Sequence, residues 1–363
     1  MLSVCAVCNR TRHWFPAPVG AEREAGRRTM SFSPCLVTGA SGFIGGRLVE
    51  RLLATTPPAG VYCLIPPHRL HTPRAEAWRE RGVTLIAGDL MARPVSEEPP
   101  PSVKTVFHLA ANIDTAAPAE AMRLNDRGTA TLLDWLSPTL GRARVVYASS
   151  VAVMDRTGPA QGPLTEDSPC TPRTEYGASK LRAEHVIQER APGDGFSFSI
   201  IRLPTVYGPG QKAGGLFDTL GTLAEKRHWL ARLDWPGRTS VLHVEDAVRI
   251  LTEFATGPEA RNGIYCVAGP GAPTVGELAR AVAAACGRDL RPIRPPRIVW
   301  SMLRSIAFSR RLPAVLPAHL HVWLWRLSLL VDHGFWVDPS RYERARGPRP
   351  RPLDVGLRET FGH

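Results

Sequence analysis

The 363-residue chain lacks any run of about 18 uninterrupted apolar residues, which excludes a transmembrane helix. No compact apolar segment follows the positive charges of its first residues, so no secretory signal peptide is expected. Internal repeats are missing, and the one biased tract, Arg344 to Pro352, reads as a solvated Arg/Pro connector. Charge is modest at 21%, but 44% hydrophobic residues can fill a sizeable core; a disordered chain and a small staple-dependent module are excluded. The cysteines, Cys5, Cys8, Cys35, Cys63, Cys170, Cys266 and Cys286, are odd in number and scattered, so no disulfide framework follows and a reducing cytoplasm fits. Cys5 and Cys8 form a C-x-x-C with no partner pair at zinc spacing, hence a chance pair in a tail, and no metal is expected.

Acid is deficient at the two ends. The chain has 45 Lys+Arg against 33 Asp+Glu, a net charge of +12. Residues 1–30 carry five Arg and two Glu, residues 288–363 fourteen Arg and six acids, and the stretch between is close to neutral. No basic stripe with stacking aromatics crosses the body, so nucleic acid is not an expected partner.

Residues 1–30 mix Arg, Gly, Pro and Ala without a helical or alternating period. They read as a disordered leader, or as an extension upstream of a start at Met30. From Pro34, apolar runs alternate with helix-length segments such as Gly45 to Ala54 and Asn125 to Leu136. The runs are Cys35 to Thr38, Val61 to Ile65, Val83 to Ile86, Val103 to Leu109, Val145 to Ala148 and Phe198 to Arg202. That alternation predicts an α/β fold, a Rossmann-type doubly wound parallel sheet with a smaller C-terminal substrate lobe. Residues 31–205 are expected to be mainly the sheet domain and 206–363 mainly the lobe.

Three motifs carry chemistry. Thr38-Gly39-Ala40-Ser41-Gly42-Phe43-Ile44-Gly45 lies between a strand and a helix, where a pyrophosphate needs close backbone approach and free N–H groups. Tyr176-Gly177-Ala178-Ser179-Lys180 puts a phenol and an ammonium on one helix face, and a nearby cation would favour the phenolate. Val145-Val146-Tyr147-Ala148-Ser149-Ser150 is a strand ending in two hydroxyls, both expected to emerge into the cleft beyond its carboxyl end.

Together these resemble the extended short-chain dehydrogenase/reductases, the NAD-dependent epimerase/dehydratase family: T-G-x-x-G-x-x-G at Thr38 to Gly45 and Y-x-x-x-K at Tyr176 and Lys180. Gly88-Asp89-Leu90 resembles the family's adenine turn, Phe107-His108-Leu109-Ala110-Ala111 its fourth strand, and Asn125 to Thr129 its N-x-x-G-T helix. Arg202 to Pro209 resembles the segment packed on the nicotinamide side, and His243 to Ala247 a substrate-lobe element. The resemblance spans about residues 34 to 280. It implies catalytic Ser150, Tyr176 and Lys180, with Tyr176 exchanging the hydroxyl proton, Lys180 holding the nicotinamide ribose and tuning Tyr176, and Ser150 orienting the substrate oxygen. It implies cofactor contacts from Gly39, Ser41, Gly42, Phe43, Ile44, Gly45, Asp89, Leu90, Ala110, Ala111, Asn125, Tyr176, Lys180 and Pro204. At the end of the second strand no acid appears and Arg69 does, which favours NADP over NAD.

The residues after Ser150 narrow the reaction. Val151, Ala152 and Val153 stand where the sugar dehydratases carry an acidic pair, so dehydration lacks its general acid and base. Residues 297 to 337 hold Trp300, Trp323, Trp325 and Trp336 among aliphatics and arginines. They loosely resemble the hydroxysteroid dehydrogenase-like branch. The expected activity is an NAD(P)-dependent oxidoreductase of a lipophilic secondary alcohol or ketone, steroid-, isoprenoid- or polyketide-like, with a nucleotide-sugar epimerase retaining NAD as the alternative. A small lipophilic substrate is the expected partner. A peripheral membrane contact, and with it a membrane-associated cytoplasmic location, stays open, as does a homodimer.

Overall fold

The computed structural model describes residues 33–91, 98–115, 117–155, 162–211, 213–257, 261–309, 318–332, 334–346 and 350–362. The leader, the Cys5/Cys8 pair and Met30 lie outside the described residues. All described residues fall within one unit, Phe32–His363.

Seven parallel strands form the sheet: β1 (Cys35–Thr38), β2 (Val61–Ile65), β3 (Thr84–Ala87), β4 (Thr105–His108), β5 (Arg144–Ser150), β6 (Ser197–Leu203) and β9 (Gly263–Cys266), in the order β3-β2-β1-β4-β5-β6-β9. β1, β4 and all but the last residue of β5 are buried, as expected for strands covered on both faces. The order reverses between β1 and β4, and at such a switch point ligands bind beyond the strands' carboxyl ends. A two-stranded parallel sheet pairs β7 (Thr205–Tyr207) with β8 (Val241–His243).

Four helices follow sheet strands in the first half: α1 (Phe43–Leu53), α2 (Pro73–Glu80), α3 (Ala119–Leu136) and α4 (Glu175–Asp194). The second half adds α5 (Leu216–Glu225), α6 (Val244–Phe254), α7 (Val275–Ala285), α8 (Arg297–Ala307), α9 (Ala318–Val331), α10 (Ser340–Arg346) and α11 (Leu353–Phe361). Ala247, Val248, Leu251 and Phe254 of α6 share one core with Leu48, Val49 and Leu52 of α1. A separate lobe core joins Phe217 and Leu220, Leu278 and Val282, and Leu357 from α5, α7 and α11.

The stretch Arg344 to Pro352 is not wholly a solvated connector. Its first residues close α10, and Arg351 donates to Asp246 (3.0 Å) and Glu359 (2.5 Å) because both carboxylates face it from α6 and α11.

Candidate active site

The turn after β1 is built by exclusion. Gly39 sits at φ +68°, and a Cβ there would stand 2.7 Å from Ala110 N; one on Gly45 would stand 2.1 Å from Gly39 O. Side chains at these points would separate the β1–α1 turn from the end of β4, which the glycines let touch. Thr38 completes the joint. Its hydroxyl accepts from Leu109 N and Ala110 N, both at 3.2 Å, and bonds His108 Nδ1 at 2.7 Å.

His108 Nε2 meets Thr129 Oγ1 at 2.8 Å, and that hydroxyl already donates to Asn125 O at 2.6 Å. Thr129 must therefore accept, which assigns the proton to Nε2 and leaves Nδ1 to accept from Thr38. Burial, with Lys180 nearby, lowers the imidazole to about 3, so it is neutral.

α4 starts at an N-cap, Thr174, whose hydroxyl accepts from Gly177 N at 3.1 Å. A Cβ on Gly177 would lie 2.4 Å from Ala152 O. Glycine at this position lets the first turn of α4 rest on the 3₁₀ turn Val151–Met154, and that contact brings Tyr176 to Ser150. Ser150 lies beside Tyr176 and accepts from Ala152 N at 3.2 Å.

Burial raises the Tyr176 phenol, and the Ser150 side chain beside it is the influence that lowers it. Lys180, buried, donates to Ala148 O at 2.8 Å and lies 4.6 Å from the centre of the Tyr147 ring. Burial lowers its ammonium to about 7 against the opposing pull of Glu184.

Ser149 does not enter the cleft. It donates to Glu184 Oε1 at 2.5 Å on the opposite side of β5, because successive strand residues face opposite ways. Glu184 also holds Arg202 through Nε at 3.1 Å and Nη2 at 2.8 Å, both residues fully buried. Arg202 Nη2 reaches Cys170 Sγ at 3.3 Å. Sequence reasoning missed this cluster, although Glu184 stands four residues after Lys180 on the same helix.

Asn125 is buried. Its amide donates to Asn112 O (3.0 Å) and Ser179 Oγ (2.8 Å) and accepts from Asn112 N (2.7 Å), so it fastens the β4–α3 loop to α4. Ser41, Phe43 and Ile44 are half-buried on the glycine turn, Ala110 and Ala111 half-buried after β4, and Pro204 buried after β6. Leu90 is core, and Asp89 is exposed, its carboxylate accepting from Met91 N at 2.9 Å. Arg69 is exposed in a 3₁₀ turn beyond β2. A Cβ on Gly46 would stand 2.5 Å from Arg74 Nη1, so a second arginine, unremarked in the sequence, lies against the start of α1.

These residues fit a dinucleotide. α1 opens with no capping side chain and no acid in its first turn, at an exposed Gly42, which leaves a positive helix end for a pyrophosphate. Among the described residues no metal-ligating cluster occurs.

A doubly wound parallel sheet with this turn and this Ser-Tyr-Lys set defines a nicotinamide-dependent class of α/β enzymes. Residues 35–268 match the model of the NAD dependent epimerase/dehydratase family, and the chain belongs to that family. The chain is 30% identical over 275 residues to 2'-dehydrokanamycin reductase of Streptomyces kanamyceticus (72% of this chain, 69% of the relative). It is 26% identical over 224 residues to ceramide reductase of Caulobacter vibrioides (61% of each). Its fold is similar to that of MoeE5 in complex with UDP-glucuronic acid and NAD, at 25% identity and TM-score 0.66, covering 90% of this chain and 97% of that one. The chain spans about half the length of two uncharacterized Sinorhizobium fredii relatives, 42% of one and 53% of the other.

Proposed function

We propose that the protein is an NAD(P)-dependent oxidoreductase that interconverts a lipophilic secondary alcohol and its ketone. The observation that carries this reading is the pairing of Ser150 with Tyr176 beside a turn, Val151 to Met154, that is wholly apolar and buried. A hydroxyl proton can be exchanged there, whereas no carboxylate in that turn is available to expel water.

A bound nicotinamide would take or give the hydride. Tyr176 Oη would receive the alcohol proton or return it to the ketone oxygen, and Ser150 Oγ would hold that oxygen in place. Lys180 would move from Ala148 O to hold the nicotinamide ribose. Glycines 39, 42 and 45, with Ser41, Phe43 and Ile44, would bind the pyrophosphate; Asp89 and Leu90 would flank the adenine, and Ala110, Ala111, Asn125 and Pro204 would line the remaining cofactor path. Arg69 and Arg74, with no acid at the end of β2, support NADP(H) over NAD(H).

A lipophilic substrate is supported by the aromatic C-terminal helices. Trp325 of α9 donates to Asp155 Oδ2 at 2.6 Å, five residues past Ser150, and the likeness to a ceramide reductase points the same way. Nucleotide-sugar epimerisation is the second reading, favoured by the likeness to MoeE5, which binds UDP-glucuronic acid and NAD.

The test is a turnover screen of both cofactors against long-chain and polycyclic ketones and against UDP-sugars, run beside Tyr176→Phe. Stoichiometric oxidation of added NADPH by a lipophilic ketone, lost by at least about a hundredfold in Tyr176→Phe, is expected. UDP-sugar epimerisation without net cofactor change would sink the oxidoreductase reading.

A further inference from the structure

Helix α8 has two apolar faces and uses one. Trp300, Leu303 and Ala307 pack against Leu327, Leu330 and Val331 of α9 and against Trp235. Ile298, Met302 and Ile306, spaced by four and hence on one side of the helix, are 65%, 61% and 42% exposed. Val299 beside them and Trp323 on α9 are exposed as well. Single exposed apolar residues are ordinary; a stripe running just over two turns marks an interaction surface.

Charge identifies the occupant. α8 contains Arg297 and Arg304 and no acid, and from Leu290 to Val331 the sequence has seven Arg and no Asp or Glu. Asp332 pairs with Arg304 at 3.5 Å and Asp234 with Arg294 at 3.6 Å, which still leaves the segment net positive; a second copy on this face would bring two such segments together, which opposes self-association. An apolar stripe edged by arginine with an exposed tryptophan nearby complements an anionic bilayer surface, where acyl chains receive the stripe and headgroups the guanidiniums.

We propose that α8, with Trp323 of α9, docks on the surface of an anionic lipid bilayer. Among the described residues no helix is long and apolar enough to cross one, so the contact is peripheral. The inner side of the same helices reaches the candidate active site: besides the Trp325–Asp155 bond, Arg173 donates to Ser328 at 3.2 Å and lies 5.9 Å from the Phe308 ring centre. Delivery of substrate from the bilayer rests on the oxidoreductase reading above. Docking itself does not.

The experiment is co-sedimentation of the full chain with vesicles of phosphatidylcholine alone or of equal parts phosphatidylcholine and phosphatidylglycerol, which needs no turnover. Binding to the anionic vesicles should exceed binding to the neutral ones by about tenfold or more and weaken with added salt. Met302→Glu and Ile306→Glu should each lower it by about tenfold at unchanged thermal stability, and Met91→Glu, exposed at the far end of the sheet, should not. Absence of binding to anionic vesicles, or full binding by Met302→Glu, overturns the proposal. So does a wild-type dimer that Met302→Glu dissociates, which would assign the face to a second copy.

Discussion

Replacing Glu184 by Met tests whether the buried cluster behind β5 holds the candidate site together. The substitution keeps the side-chain volume and removes a carboxylate that is fully buried and holds Arg202 at 2.8 and 3.1 Å and Ser149 at 2.5 Å. Stranding a buried guanidinium costs about 3–5 kcal/mol, and the orphaned Ser149 hydroxyl adds about 1 kcal/mol. Against a total stability of about 5–15 kcal/mol this is a large loss. With an unfolding entropy of about 2.1 cal/mol/K per residue, the unit loses roughly 1.4 °C per kcal/mol, or about 6–9 °C. The double variant Glu184→Met/Arg202→Met removes both charges and should recover to within about 2 kcal/mol of the parent. Urea unfolding of the cofactor-free protein measures all three, and salt should leave the differences unchanged because the pair is dry. If the single variant loses under about 1 kcal/mol, or the double is worse than the single, the assignment of the pair as a charge that must stay compensated is wrong.

Three further outcomes rest on particular groups. The Tyr147 hydroxyl is buried with no hydrogen-bond partner among the described residues, so Tyr147→Phe should leave stability equal or raise it by about 1 kcal/mol in denaturant unfolding; a loss above about 1 kcal/mol would reveal a missing partner. His108 is held neutral down to about 3 while an unfolded histidine protonates near 6.5. Below about 6.5 the unfolded state then binds the extra proton, and stability should fall by up to about 1.4 kcal/mol per pH unit, a slope that His108→Gln should reduce. Arg69→Ala should raise the KM for NADPH at least about tenfold more than that for NADH; equal effects would remove the cofactor preference.

Much of the architecture could be read directly. Six of the seven main-sheet strands stand within two residues of where the apolar runs put them, because strands buried on both faces have little choice of composition. β9, Gly-Ile-Tyr-Cys, escaped notice: four residues beginning at a glycine have too little period to register, and the strand exists because β6 offers a free edge. In the candidate site, the glycine turn and the Tyr176/Lys180 pair were legible as local spacings. The Glu184–Arg202 bond was not, since its partners lie 18 residues apart on a helix and a strand that meet only in the fold. The misplacement of Ser149 was avoidable, because adjacent strand residues alternate and only one of two neighbouring serines can face the cleft.

The shared packing of α1 and α6 has a consequence for how the molecule can be taken apart. α1 follows the glycine turn, α6 comes from the second half of the sequence, and Arg47 adds a bond to Pro209 O at 3.2 Å and a 3.5 Å pairing with Glu245. A fragment ending near residue 205 would leave one side of α1 bare of Ala247, Val248, Leu251 and Phe254, and would forfeit β9 from the sheet edge. The two halves are thus a single cooperative unit: neither can be expressed, swapped or grafted as an independent module without supplying a substitute for the other's side of that core.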